Sequence, residues 1–256
     1  MKKALIRPPS PRLTEGIVTH IEREAVDVDL ARKQWEGYVA ALREHDWETV
    51  TVPAADDCPD SVFIEDPVLV YRSVAVLARP GALSRRPEVE AVEPVVAGLG
   101  YAVARITEPG TLDAGDVLKV GDTLYVGRGG RTNAEGIRQL RVVLEPLGAT
   151  IVAVPVEKVL HLKSAVTALP DGTVIGYPPI VDNPSVFGRF LPVPEESGSH
   201  VVDLGHGRLL MAADCPQSAA LFADFGYEPV TVDISEFEKL EGCVTCLSVR
   251  LRATPR

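Results

Sequence analysis

The apolar positions of this chain follow two periods. Short runs rich in valine and isoleucine have the length and composition of strands: Val50-Thr51-Val52-Pro53, Tyr101-Ala102-Val103-Ala104-Arg105-Ile106, Ile151-Val152-Ala153-Val154-Pro155 and Pro229-Val230-Thr231-Val232-Asp233. Other stretches repeat their apolar residues every three to four positions, as one face of a helix does. Residues 30–45 place Ala31, Trp35, Tyr38, Val39 and Leu42 on one face, with Asp29 as the expected cap. A second helix is expected from near Pro87, carrying Val89, Val92, Val96 and Leu99, and ending at Gly100. A third opens on Thr132-x-x-Glu135, which has capping-box spacing, and buries Ile137, Leu140, Val143 and Leu144. A last one follows Asp214, has Pro216 in its first turn and stops at Gly226. Near Pro184 there is room only for a short helix.

Between the helices lie paired strand signals. Residues 68–71 pair with 74–78, and 117–120 with 123–126 across Gly121-Asp122. Residues 165–169 pair with 173–176 across Asp171-Gly172, and 201–204 with 208–211 across Gly205-His206-Gly207. A fifth pair forms if the C-terminal strand 247–251 lies beside the N-terminal strand 4–7. The hairpins start roughly 35–50 residues apart, a spacing found in arrays and propellers. Five units in which the chain ends share one unit close into a ring, which also removes exposed sheet edges. The expected fold is therefore an α/β ring of five repeated units. Proline and glycine are spread evenly and no linker is visible, so residues 1–256 read as a single catalytic domain.

Composition narrows the function. With 46% hydrophobic and 24% charged residues the chain has an ordinary globular make-up. The formal net charge of −10 argues against nucleic-acid binding, which needs a basic footprint; it is compatible with an acidic cleft that draws in a small cation, although taken by itself it reads as solubility alone. No apolar run is long enough to span a bilayer, and Arg7-Pro8 interrupts the N-terminus before a signal-peptide core can form. A cytoplasmic location with no membrane partner is expected. Four cysteines are too few for a disulfide framework. Cys243 and Cys246 form one C-x-x-C, but no second ligand pair stands at zinc-site spacing, so no metal or cofactor is expected.

The repeated strand–loop units place different reactive residues at matching positions: Asp60, Glu65 and Asp66 after the first, Asp113 and Asp116 after the second, His161 after the third, Cys246 after the fourth. In a closed ring these would converge. A cysteine is a nucleophile as its thiolate, and a bound cation would favour that form. A histidine is the natural acid/base near neutral pH, and a carboxylate can hold it in the useful tautomer. Of the two acids in Leu112-Asp113-Ala114-Gly115-Asp116, Asp113 is preferred because its offset after its strand matches that of His161. The adjacent acids Glu65 and Asp66 suit a guanidinium partner, while Arg85 and Arg131, each between a hairpin and a helix, could clamp a carboxylate.

At these residues the chain resembles the dimethylarginine dimethylaminohydrolases of the guanidino-group-modifying, or pentein, superfamily. The resemblance is carried by Asp60-Ser61-Val62-Phe63-Ile64-Glu65-Asp66, Arg79-Pro80-Gly81-Ala82-x-Ser84-Arg85-Arg86, Leu112-Asp113-Ala114-Gly115-Asp116-Val117, Arg131-Thr132-Asn133, Leu160-His161-Leu162-Lys163 and Cys246-x-Ser248, in family order across nearly the whole chain. It implies a five-bladed α/β propeller and hydrolysis of Nω-methylated arginines to citrulline and methylamines. It implies Cys246 as nucleophile, His161 as acid/base and Asp113 as the orienting acid, where family members carry Glu or Asp. Asp66, helped by Glu65, would hold the guanidinium. Arg85 and Arg131 would take the α-carboxylate and Asp60 the α-ammonium. The Leu240 carbonyl and a lid segment near Ile17 would complete the site. A homodimer is left open.

Arginine and agmatine deiminases resemble His-x-Asp at the histidine, whereas this chain has His161-Leu162-Lys163; the missing acid leaves room for methyl groups. The alternatives are a related deiminase or hydrolase acting on arginine, agmatine or citrulline, a non-catalytic methylarginine binder, and, ranked lowest, a zinc-binding C-x-x-C module.

Overall fold

The computed structural model describes residues 2–251. Five three-stranded sheets are present among them, each built as an antiparallel strand pair with a third strand parallel to its middle strand. The first blade contains β1 (Lys2–Ile6) and β2 (Trp47–Thr51). The second is β3 (Val68–Tyr71), β4 (Val74–Leu77) and β5 (Ala102–Arg105). The third is β6 (Val117–Val120), β7 (Thr123–Arg128) and β8 (Thr150–Pro155). The fourth is β9 (Val166–Ala168), β10 (Val174–Gly176) and β11 (Phe190–Pro192), and the fifth is β12 (Val202–Gly205), β13 (Arg208–Ala212) and β14 (Glu228–Val232). Strand β15 (Val249–Leu251) returns to complete the first blade, pairing antiparallel with β1 through Lys3↔Leu251 and Leu5↔Val249. The two ends of the chain thus share one blade.

Residues from the leading strands β3, β6, β9, β12 and β15 line one axial channel of about 420 Å³. The burial pattern follows from this closure. All four residues of β3 are buried, covered on both faces, whereas the outer strand β5 has only half-buried and exposed positions. The fold is a five-bladed α/β propeller.

Helices pack on the outer strands: α1 (Val28–Glu44) on β2, α2 (Val92–Gly98) on β5 and α3 (Ala134–Leu144) on β8. A single turn, α4 (Leu162–Ala165), follows β8. Then α5 (Pro216–Asp224) packs on β14 and the short α6 (Ser235–Glu238) on α1. Three boundaries differ from the expectation. The cap of α1 is Asp27, which accepts the N–H groups of Asp29 and Leu30, so Asp29 itself is inside the helix. The expected second helix is split into a 3-10 segment, Leu83–Val89, and the shorter α2. Arg85 and Glu88 form a buried pair within the 3-10 segment, where residues three apart eclipse one another. At α3 the cap is Asn133, whose side chain accepts the Gly136 N–H; Thr132 is turned inward instead. No described helix is long and apolar enough to cross a membrane.

Candidate active site

The cleft at the end of the ring opposite the channel mouth is lined by Ile17, Asp60, Phe63, Asp66, Arg85, Arg131, Leu160, His161, Leu240, Glu241, Gly242 and Cys246. Nine of the ten residues singled out from the sequence are brought together there or directly behind it. Each arrives on a loop that precedes or follows a blade strand. Cys246 sits in the turn just before β15, fixed by its N–H to the Cys243 carbonyl at 3.1 Å. Tyr38 of α1 steadies that turn, because its hydroxyl donates to the Val244 carbonyl at 2.8 Å and meets Ser248 Oγ at 2.7 Å. The Glu65 N–H donates to the Cys246 carbonyl, so the acidic loop and the thiol loop are tied through the backbone.

His161 is buried at the start of α4. Its Nε2–H donates to Asp113 Oδ2 at 2.9 Å, and its Nδ1 faces Asp66 Oδ1 at 3.8 Å. Asp113 is fully enclosed, and its second oxygen accepts the Gly81 N–H at 2.9 Å. This fixes the imidazole by its far nitrogen and leaves Nδ1 on the side of Asp66. Burial alone would lower the His161 pKa. The charge of Asp66, the Asp113 hydrogen bond and the field of Asp116 outweigh it and raise the pKa to about 9. His161 is therefore an imidazolium at neutral pH, a proton donor in the resting site.

The acids and arginines interlock. Asp66 Oδ2 accepts from Arg85 Nη1 at 2.6 Å and Oδ1 from the Gly115 N–H at 3.1 Å. Burial opposes ionisation of Asp66, but the His161 and Arg85 charges keep its pKa below the usual carboxylate value. Arg85 also forks onto Glu88, at 2.9 and 2.8 Å, and reaches the Asp60 carbonyl. That leaves Arg85 only one uncommitted N–H of its five. Arg131 is different: its Nη1 is buried without a hydrogen-bond partner, 3.7 Å from Asp113 Oδ2. A buried orphan guanidinium nitrogen is costly and is suited to receiving an anionic group. Asp60 accepts the Ile17 N–H at 3.0 Å, and burial raises its pKa against the pull of Arg85.

Glu65 is the residue not brought into the cleft. It lines the axial channel, where Oε1 meets Lys163 Nζ at 2.5 Å and Arg250 Nη2 at 3.1 Å, and its Oε2 is buried without a partner. The channel is much the larger cavity, but the thiol and the imidazole lie on the other side of this ion-pair layer.

Cys246 Sγ lies 3.4 Å from Cys243 Sγ. The Cys243 thiol contact, burial and the negative field of Glu65 and Asp66 raise the Cys246 pKa well above that of a free thiol. The C-x-x-C pair is therefore a spatial pair as well as a sequence motif. Asp66, Asp113 and His161 also present atoms within 4.8 Å of one another, a spacing that could surround a cation. Their donors are already turned on each other and on Arg85, which suits an orienting network better than a metal shell.

The chain is 70% identical over 98% of its length to a dimethylarginine dimethylaminohydrolase of Streptomyces coelicolor, covering 97% of that protein. The chain belongs to this family. It is also 37% identical, over 97% of this chain and 99% of the relative, to a protein of the same name from Pseudomonas aeruginosa. A solved structure of a cysteine-to-serine variant of the Pseudomonas aeruginosa enzyme, complexed with citrulline, superposes with a TM-score of 0.90 at 36% identity, covering 97% of this chain and 98% of that one. No protein-family model matches the chain.

Several residues that shape the site were missed or undervalued in the sequence. Asp116 accepts Thr132 Oγ1–H at 2.6 Å and the Leu162 N–H at 2.9 Å, and Thr132 Oγ1 in turn accepts the Asp113 N–H. It thereby holds both the histidine's helical turn and the orienting acid. Its burial pushes its pKa up to about 6. Gly115 is required by proximity: a Cβ there would lie 2.4 Å from Asp66 Oδ1 and 2.9 Å from His161 Nδ1. Glu241, at φ +61°, ties down the segment after Ile17, accepting the Thr19 and His20 N–H groups at 2.7 and 2.8 Å. The glycine between two acids was a signal for Gly115. Nothing local signalled Glu241, whose partners lie more than two hundred residues away in sequence.

Proposed function

We propose that this chain hydrolyses Nω,Nω-dimethyl-L-arginine, and the monomethyl analogue, to L-citrulline and dimethylamine or methylamine. The observation that carries the reading is the buried His161–Asp113 pair at 2.9 Å in one cleft with the Cys246 thiol and the Asp66 carboxylate, in a chain 70% identical to an enzyme of that name. In this reading Asp66 receives the guanidinium, Glu65 supplies negative field from behind, and Arg131 with the remaining donor of Arg85 receives the α-carboxylate. Asp60, with the Leu240 and Ile17 backbone, receives the α-ammonium. The fit of Arg131 is supported by its unpartnered buried Nη1.

The steps follow from the charges. In the resting cleft Cys246 is held as a thiol by the Cys243 contact, by burial and by the negative field of Glu65 and Asp66. A bound guanidinium neutralises that field and favours the thiolate. The sulfur attacks the guanidinium carbon to give a tetrahedral adduct. The C–N bond then breaks as the His161 imidazolium gives its proton to the departing dimethylamine, leaving an S-alkylthiouronium. Neutral His161 takes a proton from water, the resulting hydroxide adds to the same carbon, and the C–S bond breaks as the departing sulfur takes the hydroxyl proton, giving citrulline and the resting thiol. The whole ring acts as one catalytic domain in the cytoplasm, with a small molecule rather than nucleic acid or membrane as its partner.

The test is citrulline release from dimethylarginine, monomethylarginine, arginine and agmatine with the purified protein. Preference for the methylated substrates is expected, and preference for arginine or agmatine would transfer the chain to the deiminases. Cys246→Ser should abolish turnover, and wild-type rates in that variant would remove the nucleophile assignment.

A further inference from the structure

The reaction above uses Cys246 but not Cys243, yet the geometry of the pair is specific. Cys243 and Cys246 are the first and last residues of one turn closed by the Cys246 N–H to Cys243 carbonyl bond. Such a turn holds its end Cα atoms within about 7 Å, the upper limit for a disulfide. The sulfurs are 3.4 Å apart, and a disulfide needs about 2.05 Å, a gap that small χ1 rotations can close. Cys246 lines the cleft, while Cys243 lies behind it against Thr245 Oγ1 at 3.3 Å. Cys58 and Cys215 are outside this arrangement: Cys215 Sγ donates to the Ala212 carbonyl, and neither lines the cleft.

We propose that Cys243 is a resolving thiol, so that hydroperoxides convert the catalytic Cys246 reversibly into a Cys243–Cys246 disulfide that switches the enzyme off. In the first step the Cys246 sulfur attacks one peroxide oxygen, the O–O bond breaks, and the departing hydroxide takes the thiol proton. The sulfur is oxidised to a sulfenic acid, and the peroxide is reduced, releasing water from hydrogen peroxide. In the second step the Cys243 sulfur attacks the sulfenic sulfur. The S–O bond breaks, the hydroxyl leaves with the Cys243 proton as water, and the S–S bond forms. Two thiols and one peroxide give one disulfide and two waters. The disulfide occupies the sulfur that attacks substrate and also shields it from the irreversible sulfinic state. The loss-of-activity readout rests on the function proposed above; the chemical readout does not.

The experiment uses hydrogen peroxide on the intact protein, alkylation of remaining thiols, and peptide mapping. Trypsin cuts after Lys239 and Arg250, so one peptide carries both cysteines. The expected product is that peptide unalkylated and lighter by two hydrogens, appearing in step with loss of citrulline formation, with both reversed by dithiothreitol. Under the same treatment Cys243→Ser should accumulate sulfinic acid at Cys246 and recover little activity. The proposal is overturned if wild-type Cys243 stays alkylatable while Cys246 is oxidised, if Cys246 pairs with Cys58 or Cys215, or if wild type becomes sulfinic as fast as the variant. The wild-type peptide map decides the linkage whether or not the variant folds, and it does so even if the substrate assignment is wrong.

Discussion

Lys163 Nζ lies 2.5 Å from Glu65 Oε1, and this ion pair separates the axial channel from the catalytic cleft. Lys163 stands two residues after His161, where the deiminase pattern has an acid, and it lines the channel rather than the cleft. Glu65 keeps Arg250 as a second partner, so removing Lys163 weakens rather than empties its ion-pair shell. Lys163→Met is expected to cost on the order of 1–3 kcal/mol of stability, less than breaking an isolated buried pair. Denaturant unfolding with kinetics on dimethylarginine checks this; a variant as stable as wild type would mean the pair contributes little.

The His161–Asp113 bond sets the alkaline behaviour. In the proposed reaction the imidazolium is the proton donor, and its pKa is raised to about 9. The rate constant kcat/KM should therefore fall as pH rises through about 9. Asp113→Asn removes one of the raising interactions, so the same limb should move to lower pH, with kcat reduced by about two to four orders of magnitude. The stability contribution has the same sign. A histidine raised in the folded state stabilises fully below its unfolded value of about 6.5 and loses that contribution as pH rises through the folded value. A pH–rate profile whose alkaline limb is unmoved in Asp113→Asn would separate the limb from His161.

Glu241 holds the segment after Ile17 with its carboxylate, taking the Thr19 and His20 N–H groups and the Thr19 hydroxyl. Asn tolerates the left-handed backbone at this position but is too short to reach both amides. Glu241→Asn is expected to raise KM by about 5- to 30-fold, the equivalent of one or two lost hydrogen bonds to a charged acceptor, with a smaller change in kcat. Hydrogen exchange at residues 17–20 should accelerate in parallel. Unchanged exchange there would rule out this role.

Gly115→Ala places a methyl group against Asp66 and His161 at less than van der Waals distance. The expected result is a folded protein with kcat/KM lower by about two orders of magnitude, because the two groups must separate and the reacting geometry is lost. Circular dichroism with kinetics tests it, and wild-type activity would show that the neighbours yield at no cost.

Much of this protein is legible locally. Strand length, hairpin turns and the spacing of the units follow from short-range pattern, so five units and their closure through residues 4–7 and 247–251 could be read from the chain, as the β1–β15 pairing bears out. The reactive residues were legible for the same reason: each occupies the loop at a strand end, and Cys246, His161 and Asp66 all line one cleft with Asp113 behind. Helix boundaries were less so. Thr132 has the chemistry of a cap, but a buried carboxylate, Asp116, competes for its hydroxyl and wins.

The sequence by itself determined the blades, the order in which they join and the chemical inventory of the site, because those depend on residues near one another in the chain. Only the tertiary structure decided which side of the ion-pair layer each acid faces. Glu65 and Asp66 are adjacent, yet Glu65 turns to Lys163 and Arg250 in the channel, while Asp66 turns to Arg85, Gly115 and His161 in the cleft. That choice depends on cations delivered by distant blades, since a buried carboxylate goes where its charge is met. The same holds for the two cysteines. Their spacing was visible in the chain, but only the turn brings their sulfurs to 3.4 Å.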